Sequence, residues 1–229
     1  MVSNKKSAIG KKYCSVIMCD LIESRKSDNV ANLNEKFNRT VAKINSERKK
    51  EIISPLTITL GDEFQGITKS LKTSFLIGNT VKLNLLLYGI KSRIVIGQVN
   101  LDTKVNTKEA WNMMGAGLPE SRDLLNNKSD SNEYKFSILT KNADHAVIAK
   151  LLNGIGLSLT SLENKWSEKQ LLYISKLVFD SKMTVKTLAK KMQVSVFSIY
   201  AALEAGNYNL HRQQISTICE TLDYLEGKN

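Results

Sequence analysis

Apolar positions recur along this chain in two rhythms, and the switches between them mark the expected elements. From Lys12 to Leu21 the run is almost wholly apolar between Val16 and Cys19, the pattern of a strand buried on both faces. Val30, Leu33, Phe37, Val41 and Ile44 then follow at three- or four-residue steps, which predicts an amphipathic helix over about 30–50. Pro55 is expected to open a second strand, where a missing N–H does least harm. Leu56 to Leu60 and Phe64 onward are strand-like runs joined through Gly61-Asp62-Glu63, a hairpin signal. Leu71, Phe75, Ile77, Val81, Leu85 and Leu87 predict a helix from Ser70 to Tyr88, stopped by Gly89. Arg93 to Leu101 reads as a fourth strand and Tyr134 to Thr140 as a fifth. Between them, 107–126 looks helical at both ends but is interrupted from Gly115 to Pro119.

The order is β-α-β-β-α-β followed by α-β, the split βαβ pattern of ferredoxin-like folds with an addition. That arrangement sets the first and third strands side by side at the sheet centre. After about residue 142 strand patterns stop, and 144–164, 167–179, 184–191, 195–204 and 212–225 all read as helices. Thr184 to Leu203 fits a helix-turn-helix: Ala189 allows close approach, Ser195 caps the second helix, and Val185, Leu188, Val194, Ile199 and Leu203 form the shared core. The expected class is α+β, with a ferredoxin-like palm over 1–142 and an all-helical domain over 143–229. The latter holds a helix-turn-helix at about 184–204.

Charge adds a partner class. The chain has 33 Lys and Arg against 22 Asp and Glu, a net +11, which favours anionic partners or simply a basic solubilising surface. Three scattered cysteines and two histidines offer neither a disulfide framework nor zinc spacing. No run approaches the ~18–20 apolar residues of a membrane span. Asp20 and Glu23 interrupt what could have been a signal-peptide core. The expectation is a cytoplasmic protein without a membrane partner.

The chemistry concentrates at two strand ends. Asp20 closes the first strand, and Asp62 and Glu63 sit at the hairpin tip. Brought together by the strand order, these carboxylates could hold a hard cation such as Mg²⁺ or Mn²⁺. The turn charges Arg25 and Lys26 suit either solvent or phosphate, and Arg93 suits a salt bridge at a strand start. In the helical region, Lys186, Lys190, Lys191 and Arg212 could contact DNA phosphates. Ser195, Phe197, Ser198 and Tyr200 could contact backbone or a thymine methyl. The helix from Ser195 to Glu204 has no Lys or Arg, so guanine readout is not expected from it.

The segments Asp20-Leu21-Ile22-Glu23-Ser24-Arg25, LGDEFQG, RIVIGQVN and a Gly-x-Gly stretch before Glu120-Ser121-Arg122, in this order, resemble the SatD family of bacterial proteins. More distantly, the layout is similar to the palm of nucleotidyl cyclases, both class III and GGDEF types. That resemblance implies a nucleotidyl cyclase-like fold, with Asp20, Asp62 and Glu63 as metal carboxylates. It also implies nucleotide-phosphate contacts from Ile22, Glu23, Ser24 and Arg25. For an enzyme, Asp20, Asp62 and Arg122 would be the catalytic set, Arg122 standing near a transition-state arginine. The chain departs from those cyclases at Ile58, where they place a base-reading lysine, at Leu118 in place of an asparagine, and at Leu60 in place of a glycine. The leading expectation is therefore a DNA-binding regulator whose palm senses a metal-nucleotide ligand, acting as a homodimer. The alternatives are a divergent nucleotidyl cyclase or nucleotidyltransferase, and a protein-interaction adaptor.

Overall fold

The computed structural model describes residues 13–24 and 29–227. Its elements, in chain order, are β1 (Cys14–Leu21), α1 (Val30–Glu47), β2 (Ile52–Ile58), β3 (Glu63–Thr68), α2 (Leu71–Leu86), β4 (Ser92–Leu101), β5 (Gly115–Ala116), α3 (Leu118–Asn126) and β6 (Tyr134–Ser137). Five more helices follow: α4 (Ala143–Glu163), α5 (Glu168–Phe179), α6 (Val185–Met192), α7 (Val196–Ala205) and α8 (Tyr208–Leu225).

The molecule is mixed α+β. The sheet runs β2-β3-β1-β4, with β5 and β6 both pairing the outer edge of β4. β1 is antiparallel to both β3 and β4, and β6 is parallel to β4. Two βαβ units thus interleave, and β1 and β3 are neighbours at the centre. Alternation along β1 divides its side chains between two cores. Ile17, Cys19 and Leu21 pack under α1 and α2, with Phe37, Phe64, Phe75 and Tyr134. Val16 and Met18 pack under α3, with Val95, Val99, Leu118 and Leu125. Truncating one of the buried aromatics would cost about 3–5 kcal/mol.

Helix ends follow local chemistry. Asn29 caps α1 by accepting from the Asn32 N–H at 2.9 Å, and Ser195 caps α7 by accepting from the Ser198 N–H at 3.0 Å. The hairpin between β2 and β3 turns through Gly61, whose φ of +82° is in the left-handed region that glycine tolerates.

Three expectations need correction. Pro55 lies inside β2 rather than at its start. The strand is at the sheet edge and its register shifts between Ser54 and Thr57, so the missing N–H is tolerated. Residues 107–114 form no helix; Gly115–Ala116 instead adds a short strand to Asn100–Leu101, and the helix begins at Leu118. The helix α4 is long and apolar enough, by length and composition, to cross a membrane. One side of it packs into the protein, however, through Leu152, Gly156 and Leu159. Gly156 lies against the Tyr134 carbonyl, where a Cβ would stand 2.3 Å from the oxygen, so glycine sets how closely α4 meets β6.

Helices α4 and α8 belong to the sheet's core: Leu152, Leu159, Ile218, Leu222 and Leu225 join the cluster under α2. A buried charge network lies across the same junction. Lys82 of α2 meets Glu133 at 2.8 Å and Glu163 at 2.7 Å. Glu163 also accepts from the Tyr134 hydroxyl at 3.0 Å and lies 3.1 Å from His211 of α8. By contrast α5, α6 and α7 close a separate small core through Tyr173, Ile174, Leu188, Ile199 and Leu203.

Candidate functional site

Three charged residues stand in one row across the sheet centre. Asp20 on β1 is the register partner of Glu63 on β3 and of Arg93 on β4. Directly opposed strand residues project to the same face, and here that face is the one covered by α3. Arg93 Nη1 and Lys128 Nζ both lie 3.3 Å from Asp20 Oδ2. Arg122 of α3 donates to Glu63 Oε2 at 2.5 Å and to Gln65 Oε1 at 3.3 Å. The result is an alternation of charge: two carboxylates, each met by cations from outside β1 and β3.

The hairpin tip is fastened to this row. The Leu21 N–H donates to the Asp62 carbonyl at 3.0 Å, and Ser24 Oγ donates to Asp62 Oδ2 at 2.6 Å. Asn34 of α1 donates to the Gly61 carbonyl at 3.3 Å. Leu60 is 69% exposed beside the tip. Burial pushes the Asp20 carboxyl above its ordinary range; Lys128 pulls it back, and Asp62 adds to the rise. A carboxylate that is desolvated yet beside two cations is the profile of a binding or reactive group.

The expected metal set fares differently from the expected neighbourhood. Asp20, Glu63 and Arg122 do come to one face, with Asp62 close enough to influence Asp20. Yet among the described residues no three of His, Cys, Asp and Glu converge as a metal-holding group. The oxygens are hard donors suited to Mg²⁺ or Mn²⁺, but Asp20 is engaged by Arg93 and Lys128, and Glu63 by Arg122. As arranged, these residues do not fit a resident ion, because one seated here would have to displace the chain's own cations.

Of the expected phosphate contacts, the Ile22 N–H is already used, donating to the Lys91 carbonyl at 2.9 Å. Glu23 has φ +58° and Ser24 is turned to Asp62, while Arg25 lies outside the described residues. The residue that sequence reasoning missed is Lys128. It sits in the Asn/Ser/Asp-rich turn after α3, with no periodicity to distinguish it from any solvated lysine. Arg93 is found where a strand-start salt bridge was expected.

A second surface lies on α6 and α7. Gln193, with φ +54°, ends α6 in the left-handed conformation, and α7 starts three residues later. Leu188, Ala189, Ile199 and Leu203 are buried there, whereas Val194 is 37% exposed and is not part of that core. Most of α7 faces outward: Phe197 is 80% and Tyr200 56% exposed, and Ser198 is exposed with them. Lys186, Lys190, Lys191 and Arg212 are all exposed nearby in the chain, Arg212 lying over the Tyr208 ring at 5.8 Å. The Ser195 hydroxyl is committed to its cap.

A family model and several solved structures are similar to this chain. The family model described as SatD family matches residues 13–218. No curated protein matches. Among solved structures, a bacterial light-regulated adenylyl cyclase is 12% identical, covering 54% of this chain and 42% of that chain, with a TM-score of 0.39. The non-canonical dimeric guanylyl cyclase domain of the RhoGC fusion protein from the aquatic fungus Blastocladiella emersonii is 13% identical. It covers 51% of this chain and 74% of that chain, with a TM-score of 0.36. The chain thus spans less than half the length of the first of these structures.

Proposed function

The chain belongs to the SatD family, and we propose that this member is a DNA-binding regulator whose ferredoxin-like, cyclase-like palm senses a nucleotide. One observation carries the DNA half: α7 exposes Phe197 and Tyr200, with almost no charge of its own, beside the exposed lysines of α6. An uncharged helix face flanked by cations suits a helix-turn-helix: backbone phosphates hold the module and α7 faces the groove. In the palm, Arg122 and Lys128 are cations open to solvent, poised over the partly buried Glu63 and the buried Asp20. They would bind the phosphates of the ligand by charge-assisted hydrogen bonds. A ligand that draws these cations away frees Asp20 and Glu63, so nucleotide entry is coupled to the charge state of the sheet end. Homodimerisation would then set the spacing of two α7 helices.

The test is fluorescence anisotropy of the full chain with duplex DNA across a salt series. The wild type is expected to bind more weakly as salt rises. Lys190→Glu with Lys191→Glu should flatten that slope by about one unit per lost phosphate contact. Phe197→Ala should weaken binding without loss of stability, since the side chain is mostly exposed. Unchanged binding in both variants, or no duplex binding at low salt, would overturn the reading.

A second reading has its own observation. Arg122, which the cyclase resemblance places near a transition-state arginine, lies over the Glu63 end of the site. Incubation with Mn²⁺ and each nucleoside triphosphate separates the two readings. Pyrophosphate release that disappears in Asp20→Asn and Asp62→Asn would make the protein a nucleotidyl cyclase or nucleotidyltransferase.

A further inference from the structure

β4 carries two carboxamides, Gln98 and Asn100, spaced so that both project to one face. Gln98 is the register partner of Ser15, whereas Arg93 pairs with Asp20. Along the strand, Gln98 therefore lies about 17 Å and Asn100 about 24 Å from Arg93. They are also on the other face, where the Ser15 hydroxyl meets Ser74 of α2.

Gln98 is only 7% exposed. Among the described residues, neither the Gln98 nor the Asn100 side chain has a hydrogen-bond partner. Asn100 is half-buried and the amide atoms of Gln98 are not sealed from solvent, so in the ligand-free protein water serves both groups. Here both groups open onto a cavity of about 620 Å³, within the range that holds small molecules. Tyr13, Leu139 and Leu225 give the cavity apolar and aromatic wall, and His145 stands at the start of α4. A hydrogen-bonding ligand would take the place of that water.

The chemistry of the bare groups narrows the ligand. A carboxamide offers a donor and an acceptor together, which suits a neutral edge rather than a phosphate. Lys141 and the N-terminus of α4 border the same cavity, so a negatively charged substituent can sit beside that edge. Asn and Gln pair in bidentate fashion with the N6/N7 edge of adenine, and a flat ring can lie along Tyr13 and His145. We propose that this cavity binds an adenine base or adenosine, read by Gln98 and Asn100. The site is separate from the nucleotide reading at Asp20 and stands or falls without it.

Calorimetry of the full chain with adenosine, and with guanosine, uridine and cytidine for comparison, tests the assignment. Adenosine should bind and the others should bind more weakly. Gln98→Leu should weaken adenosine by about tenfold or more, with the ligand-free protein shown to be folded by its unchanged thermal transition. Should Gln98→Leu fail to fold, Asn100→Ala, at the less buried position, should show the same loss of adenosine. Absence of heat with adenosine, preference for another nucleoside, or unchanged affinity in the folded variants overturns the proposal.

Discussion

At the junction of α2, β6, α4 and α8, Lys82 sits between Glu133 and Glu163 with all three side chains at 7% exposure or less. At the sheet end, Asp20 sits between Arg93 and Lys128, and here the second cation is 63% exposed. The carboxylates answer to burial in opposite ways. Burial alone would push Glu163 up, but Lys82 and then His211 outweigh it and hold the carboxyl below its ordinary value. At Asp20 burial wins over Lys128, and the carboxyl stays above its ordinary value. The first network is sealed inside the fold, with His211 Nδ1 its one ring nitrogen left without a hydrogen bond among the described residues. The second has a buried carboxylate too, but one of its two cations, Lys128, stands in solvent. Equal chemistry is thus enclosed on all sides in one place and reached through a solvent-exposed cation in the other.

The largest test of this contrast is Glu163→Ala. It leaves Lys82 with Glu133 alone and takes the acceptor from the buried Tyr134 hydroxyl and from His211, and urea unfolding should show a loss of about 3–5 kcal/mol. A loss below about 1 kcal/mol, the size of a surface pair, would erase the distinction.

The pH dependence sharpens it by sign. Glu163 has a lowered folded value, so its stabilisation is present above the unfolded carboxylate value and disappears as pH falls through the folded one. Asp20 has a raised folded value, so its contribution is fully present below the unfolded value and is lost as pH rises through the folded one. Asp20→Asn should therefore match the wild type in acid and exceed it in stability at neutral pH. Unfolding curves across pH 3–8 that show Asp20→Asn less stable at neutral pH would place Asp20 with the structural carboxylates.

The smallest effect belongs to Lys128→Ala. Stability should change by about 0–1 kcal/mol, as for exposed ion pairs. The carboxyl carbon of Asp20, followed by NMR, should titrate at still higher pH once its strongest opposing charge is gone. No upward movement would mean that Lys128 does not attend Asp20 in solution.

Much of this arrangement could be read from residue order. The buried run at 16–19, the Gly61-Asp62 hairpin and the helical spacing of 30–44 set the strand order, and strand order alone placed Asp20 beside Glu63. Periodicity could not reveal what meets those carboxylates. Lys128 lies 108 positions from Asp20 in a polar turn, and its role depends on where α3 ends in space. The bare Gln98 was equally hidden, since a polar residue in an otherwise apolar strand usually finds a partner. Nor could apolar spacing say that α4 and α8 pack on the sheet, because an amphipathic helix does not name the face it will meet.

That last feature has a consequence for modularity. Because α4 and α8 are both built into the sheet's core, while α5, α6 and α7 close a core of their own, the helical region is a loop-out carried at both ends. Residues 143–229 could not be transplanted as a cassette, and a fragment ending at 142 would bare Tyr134 and Phe75. The segment that recombination could exchange without opening the sheet is 164–207, an inset whose two ends are already joined by the host.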